Sequence, residues 1–145
     1  MDVVKNKRRW WVAIALAVAV LAGAACDESP TGPSELIGQT WRLIAIDRTG
    51  LPSIAAPSDR RFTIEFQDGG RVAVRADCNS CTGTYELSGS QFTIRPLACT
   101  RAFCGNESLD TLFLQTLSEA RSVRRESSEL TIRSENVTLR FTSNN

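Results

Sequence analysis

From residue 36 onward, apolar side chains recur at every second position in short runs separated by breaks rich in glycine, serine and asparagine. Trp41, Leu43 and Ala45 fall on one face of the first run, and Ile44 and Ile46 on the other. Phe62-Thr63-Ile64-Glu65-Phe66 alternates cleanly, and Asp68-Gly69-Gly70 then leads into Val72-Ala73-Val74, the pattern of a hairpin. Tyr85 and Leu87 open another strand, which Ser88-Gly89-Ser90 turns and Phe92-Thr93-Ile94 returns. Near the end, Leu130 and Ile132 face Val137, Leu139 and Phe141 across Ser134-Glu135-Asn136. Seven to eight short strands at this spacing predict a small antiparallel β-barrel-like or strongly curled sheet. One segment departs from the period of two: Leu109, Leu112, Phe113, Leu117 and Ala120 form a single stripe at helical spacing. It predicts one helix over 107–120 packed on the sheet, with Asn106 as N-cap and Glu107 and Asp110 in the first turn, where the helix dipole favours anions. The fold class is therefore α+β. Residues 47–60 are the longest stretch without a pattern and read as a solvated connector, the first place to look for a binding surface.

The beginning of the chain has a different grammar. Lys5, Lys7, Arg8 and Arg9 precede an uncharged apolar run that starts at Trp10, and Ala22-Gly23-Ala24-Ala25 supplies small residues. That layout is a secretory signal over 1–25, and its apolar run falls short of the roughly 20 residues a spanning helix needs. Gly23-Ala24-Ala25-Cys26 resembles a bacterial lipobox, in which Cys26 is lipidated and becomes the first residue of the processed chain. Ala22-Gly23-Ala24 instead allows cleavage before Ala25. Cysteine parity favours the former: the chain has five, and lipidating Cys26 leaves four that can pair in an oxidising compartment. Residues 26–35, with two prolines and a glycine among polar side chains, read as a lipid-anchored flexible tether, and 36–144 as one domain. The expected location is the bacterial cell envelope, with the protein exported and anchored by lipid.

Charge narrows the partners. The chain carries 17 Lys+Arg against 16 Asp+Glu. Without residues 1–25, which hold four cations and one anion, 13 arginines face 15 acids, and no lysine remains. Such a balance lacks the basic surplus that binds nucleic acid, so membrane contact is expected through the lipid on Cys26 and any further partner among envelope proteins. The chain has no histidine, which excludes Ser-His, Cys-His and His-ligated metal chemistry. No G-x-S-x-G elbow, S-x-x-K motif or distinctively spaced carboxylate pair is present. We therefore expect no catalytic residues and no cofactor: a protein that is not an enzyme.

The most specific chemistry lies in Asp77-Cys78-Asn79-Ser80-Cys81 and Cys99-Thr100-Arg101-Ala102-Phe103-Cys104. Nested pairing, Cys78 with Cys104 and Cys81 with Cys99, centres both bonds on nearly the same point of the chain, as two limbs folded back on each other require. Crossed pairing, Cys78 with Cys99 and Cys81 with Cys104, needs one limb to reverse. Four thiolates would also suit zinc, but an oxidising compartment disfavours them. A Cys78-x-x-Cys81 redox dithiol usually sits at a helix N-terminus, whereas Thr82 to Leu87 continues as strand. Disulfides are the expected use of these cysteines, with no metal site.

The run Asp-Cys-Asn-x-x-x-Gly-x-Tyr at 77–85, followed by Phe-Thr-Ile-x-Pro-Leu-Ala-x-Thr-Arg-x-x-Cys at 92–104, resembles the META domain family. The shared pattern falls on Cys78, Asn79, Gly83, Tyr85, Thr100 and Cys104. It extends to the opening Leu-x-Gly-x-x-Trp-x-Leu ending in Trp41 and Leu43, and to the closing Leu130-x-Ile132 and Leu139-x-Phe141. Three departures stand out. Asp77 replaces the usual glycine, at a place where a positive φ is less comfortable for it; Ala102 and Phe103 stand where the family often has Met and Ala; Cys81 and Cys99 are an additional pair. The resemblance implies a small β-rich domain with a helix, secreted or lipid-anchored in bacterial envelopes and tied to stress and antibiotic tolerance. It transfers no catalytic residue. The expected function is a non-catalytic interaction or scaffold module. The alternatives are a secreted inhibitor of a cell-wall hydrolase or protease, for which no exposed sequence stands out as an inhibitory loop, and a carrier of an apolar small molecule whose identity the sequence leaves open.

Overall fold

Alternation in the central strands becomes an inside and an outside. In the computed structural model, which describes residues 32–59 and 61–143, Phe62, Ile64 and Phe66 all point inward from one strand and Val72, Val74 and Ala76 from the next. After a single helical turn, α1 (Pro33–Leu36), the chain forms β1 (Thr40–Arg48), β2 (Ile54–Ala55), β3 (Phe62–Gln67), β4 (Arg71–Ala76) and β5 (Asn79–Ser88). It continues through β6 (Gln91–Ile94), β7 (Ala98–Cys99), α2 (Asp110–Ser118), β8 (Ser122–Glu126), β9 (Glu129–Arg133) and β10 (Val137–Ser143). The sheet is antiparallel throughout, in the order β6-β5-β4-β3-β1-β10-β9-β8, with β2 paired to β1 and β7 to β5. The two ends of that path meet: the Phe92 N–H donates to the Arg121 carbonyl at 2.9 Å, nearly closing an eight-stranded barrel. The expected small α+β barrel-like fold is what the chain adopts.

The interior is filled. Trp41, Phe62, Phe66, Phe92, Phe113 and Phe141 are all but fully buried. Phe66 meets Tyr85 edge-on at 4.9 Å between ring centres, and Phe62 meets Phe113 at 5.4 Å. Such pairs add about 0.5–1.5 kcal/mol beyond the area they bury. Buried Trp41 donates its indole N–H to the Leu36 carbonyl at 3.2 Å. This bond ties α1 to the barrel and satisfies the one polar atom the ring carries inward. The α1 turn includes Pro33 to Glu35, the described end of the expected tether. Residues 27–31 of the tether, Cys26 and the signal segment lie outside the described residues. No helix among the described residues is long and apolar enough to cross a membrane.

Three expectations are corrected. The first concerns β1, where Trp41, Leu43 and Ile46 share the core and Ile44 is only half-buried. A bulge explains it: Leu43 pairs with Phe141 and Ala45 with Arg140, so Ile44 is an extra residue that shifts the alternation. Ala45, also buried, pairs with Ala55 of β2.

Second, 47–60 is not a loose connector. β1 runs through Arg48, and Ile54 and Ala55 pair back onto Ile46 and Ala45. The Thr49 N–H reaches the Asn136 carbonyl at 3.0 Å, and the Ala56 N–H reaches that of Ile44 at 3.0 Å.

Third, the helix spans Asp110–Ser118 instead of 107–120, and Asn106 does not cap it. The preceding residues are held elsewhere: the Ser108 hydroxyl donates to the Asp77 carboxylate at 2.7 Å and accepts the Asp110 N–H at 3.2 Å. The apolar stripe still works as expected, burying Phe113, Leu117 and Ala120.

The seven to eight strands expected are met by the eight of the barrel path, and among the described residues two short strands, β2 and β7, lie off it. β8 escapes the alternation test because Val123 is its single apolar residue, and β2 and β7 are two residues each.

Burial pushes the Tyr85 hydroxyl above the ordinary tyrosine value near 10, with the Asp68 carboxylate adding to the shift. The folded state therefore holds this proton more tightly than the unfolded chain. Its contribution is complete below the unfolded value and is lost as pH rises through the folded one. Stability is expected to fall as pH climbs above about 10, measured by urea denaturation at stepped pH with the disulfides intact, and Tyr85→Phe is expected to flatten that part of the profile.

Candidate functional site

The hairpin joining β4 to β5 turns on two residues, Asp77 and Cys78, between the paired Ala76 and Asn79. Asp77 has φ +58°, the left-handed region where glycine is at ease and aspartate is tolerated. Its side chain compensates for that conformation. At 5% exposure, the carboxylate accepts from Arg61 Nη1 at 3.0 Å and from the Ser108 hydroxyl at 2.7 Å. Its carbonyl accepts from Arg75 Nε at 3.3 Å, and its N–H donates to the Arg61 carbonyl at 2.7 Å. Arg61 also pairs with Asp59 at 2.5 Å, and the two carboxylates raise its affinity for its proton. The position that departs from the family's glycine thus knots β3, β4 and the lead-in to α2 together.

Next to this turn stands Asn79, 4% exposed. Its Oδ1 accepts the Ala102 N–H at 2.8 Å and the Thr100 hydroxyl at 3.0 Å, while Nδ2 donates to the Ala102 carbonyl at 3.0 Å. Nδ2 also lies 3.3 Å from the Cys104 sulfur and 3.5 Å from Asp110 Oδ2. Thr100 closes the ring: its hydroxyl accepts the Ser80 N–H at 3.0 Å and its own N–H donates to the Ser80 carbonyl at 3.0 Å. One amide side chain thereby imitates a neighbouring strand for a segment that has no regular partner of its own.

Sulfur fixes the same two limbs. Cys78 is bonded to Cys104 with Cα atoms 5.5 Å apart, and Cys81 to Cys99 with Cα atoms 4.0 Å apart. This is the nested pattern, and the second bond spans residues that face each other directly between β5 and β7. In the chain-entropy model, the outer bond alone, across a separation of 26, is worth about 3.5 kcal/mol. Gly83 completes the arrangement. A Cβ there would sit 2.8 Å from Leu97 Cδ2 and at ordinary contact distance, 3.5 Å, from the Pro96 carbonyl, so a larger residue would have to push the Leu97 side chain aside.

The motif residues are thus brought together as follows. Cys78, Asn79, Thr100 and Cys104 form one clamp, with Gly83 beside it against residues 95–97; Tyr85 and Trp41 belong to the core. What they hold is a loop, Thr100 to Gly105, whose outermost side chain is Phe103 at 83% exposure. Sequence reasoning found no loop of this kind. The available signal was the phenylalanine standing where the family often has a small residue, next to the paired Cys104. Among the described residues, no group of three or more Cys, Asp or Glu side chains is placed to hold a metal ion.

Replacing Asn79 with alanine strips partners from the Ala102 backbone and from Thr100. The expected loss is about 2 kcal/mol in urea denaturation, with the Ala102 amide among the sites whose hydrogen exchange accelerates most.

The fold has solved counterparts. An NMR structure of a protein from Burkholderia xenovorans matches with a TM-score of 0.63 at 20% identity, covering 79% of this chain and 90% of its own. A second NMR structure matches with 0.60 at 25% identity, over 77% and 94%. A crystal structure of a DUF4847 family protein from Bacteroides vulgatus matches with 0.58 at 16% identity, over 77% and 96%. Among curated proteins none matches. The family model of the META domain matches residues 34–145, which takes in the clamp, the barrel and the helix, and the chain belongs to the META domain family.

Proposed function

We propose that this protein is a non-catalytic binding module of the bacterial cell envelope, exported, held to a membrane by a lipid on Cys26, and acting in stress or antibiotic tolerance. The observation that carries this reading is the direction in which the polar motif residues point. Asn79, Thr100 and the four paired cysteines spend their chemistry on holding one loop in place, and that loop presents an apolar ring to solvent. The disulfides suit an oxidising compartment, and the cationic and apolar start of the sequence suits export. A second reading, an inhibitor of a cell-wall hydrolase or a protease, is favoured by Phe103, because a braced loop has little ordering left to do on binding. A carrier of apolar ligands has less support, since the aromatic side chains of the barrel occupy its interior.

Intact mass of the protein extracted from membranes tests the anchor. The expected mass is that of residues 26–145 plus a lipid, less four hydrogens for two disulfides, with the hydrogens regained on reduction. A species retaining residues 1–25 overturns the reading. A deletion strain under envelope stress is expected to regain survival with the wild-type gene and not with Cys26→Ser.

A further inference from the structure

A phenylalanine exposed to this degree is unremarked when its loop is mobile. Here the loop is held at both ends and from behind. Cys104 is bonded to Cys78, Cys99 to Cys81, and Thr100 is bound to Ser80 through both its backbone and its hydroxyl. Resting on the binding-module reading above, we propose that residues 100–105 form a substrate-like inhibitory loop that seats Phe103 in the apolar specificity pocket of a protease cutting after large apolar residues.

Shape selects this occupant. A phenylalanine side chain offers about 150–250 Å² of contact, far less than the roughly 1,200–2,000 Å² a stable interface buries. A flat partner, including a second copy of this chain, gains little from one projecting ring. A deep apolar slot gains most of what that ring can give, and the partner then adds area by pairing with extended backbone on either side.

The backbone is arranged for that pairing. Asn79 takes both the N–H and the carbonyl of Ala102, the residue immediately before Phe103. None of the hydrogen bonds among the described residues engages the backbone of Arg101 or Phe103. The residue held from within thus alternates with residues whose polar groups are left for an incoming strand edge. From Thr100 to Asn106 the loop also carries no acidic side chain and one exposed cation, Arg101, so no carboxylate must be dehydrated as the ring enters a slot.

The braces also explain why such a loop would block a protease rather than feed it. Hydrolysis of the Phe103–Cys104 bond adds one water and leaves a carboxylate on Phe103 and an amine on Cys104. Both new ends stay attached, one through the Asn79 bonds to Ala102 and the other through the Cys104–Cys78 disulfide. Neither half can diffuse out of the cleft, and the cut bond remains poised to be remade.

The test titrates the oxidised full chain against chymotrypsin, with trypsin as the comparison. We expect wild type to suppress chymotrypsin far more than trypsin. Phe103→Ala is expected to weaken that suppression about thirtyfold or more, the cost of truncating a central anchor. Phe103→Arg is expected to transfer inhibition to trypsin. The site is exposed, so all three proteins should melt alike. Absence of inhibition by wild type at micromolar concentration overturns the proposal, and so does rapid cleavage of the loop with release of active protease. Phe103-dependent binding to phosphatidylglycerol vesicles in place of protease also overturns it. The strain experiment above separates the two readings: full rescue by Phe103→Ala leaves the anchored module standing and removes this loop from its work.

Discussion

The loop held at this end of the barrel depends on the side-chain amide of Asn79. A primary amide has a donor face and an acceptor face, and here both are turned toward a segment that leaves the sheet after β7 and must still satisfy its backbone. Water could satisfy those groups but would not hold them in one place. Because the amide is almost fully buried between the β4–β5 turn and the loop, its bonds form in a medium where unmade partners are costly. The disulfides on either side then act on a segment that already has its geometry. Sulfur limits how far the limbs can separate, and the amide sets where the loop lies between them.

Much of the fold was legible because alternation reports burial directly. Phe62 to Phe66, Val72 to Val74, and Leu130 to Phe141 each bury the residues their pattern assigns. The pattern failed where the backbone inserted a residue. Nothing in Ile44 distinguishes it from its neighbours, and the bulge follows from the pairing partner, Arg140 answering Ala45, which no local window contains. It failed again in β8, whose place is set by Leu130 and Ile132 across the ladder and not by its own side chains. The helix start was misread because Ser108 answers a carboxylate thirty-one positions away in sequence. In each case a long-range contact overrode a local preference.

The candidate site divides in the same way. Cysteine spacing pointed to the two limbs, and the expected discomfort at Asp77 is present as a positive φ. What spacing could not convey is that Asp77 recruits Arg61 and Ser108 into a buried knot, so a residue that costs backbone strain also fastens three parts of the chain. Nor could it convey that Phe103, between the Ala102 backbone held by Asn79 and the Cys104 sulfur held by Cys78, is left standing outside. Exposure of a single ring is a property of how its neighbours are bound, and those neighbours are bound by residues more than twenty positions earlier.

The place of β1 in the sheet has a further bearing on how the molecule is made. The first long strand lies along β10 over nearly its whole length, and on its other side meets β3 at Thr40 to Arg42 and β2 at Ala45 and Ile46. A chain emerging from its N-terminus can complete the β3–β7 hairpins and join its sulfurs while β1 still has one side open. The hydrophobic interior cannot shut until the final ten residues arrive. Assembly of this kind is slow for its size, because its decisive contacts span almost a hundred positions. During biogenesis the early cross-links would keep the half-built sheet from exchanging strands with its neighbours.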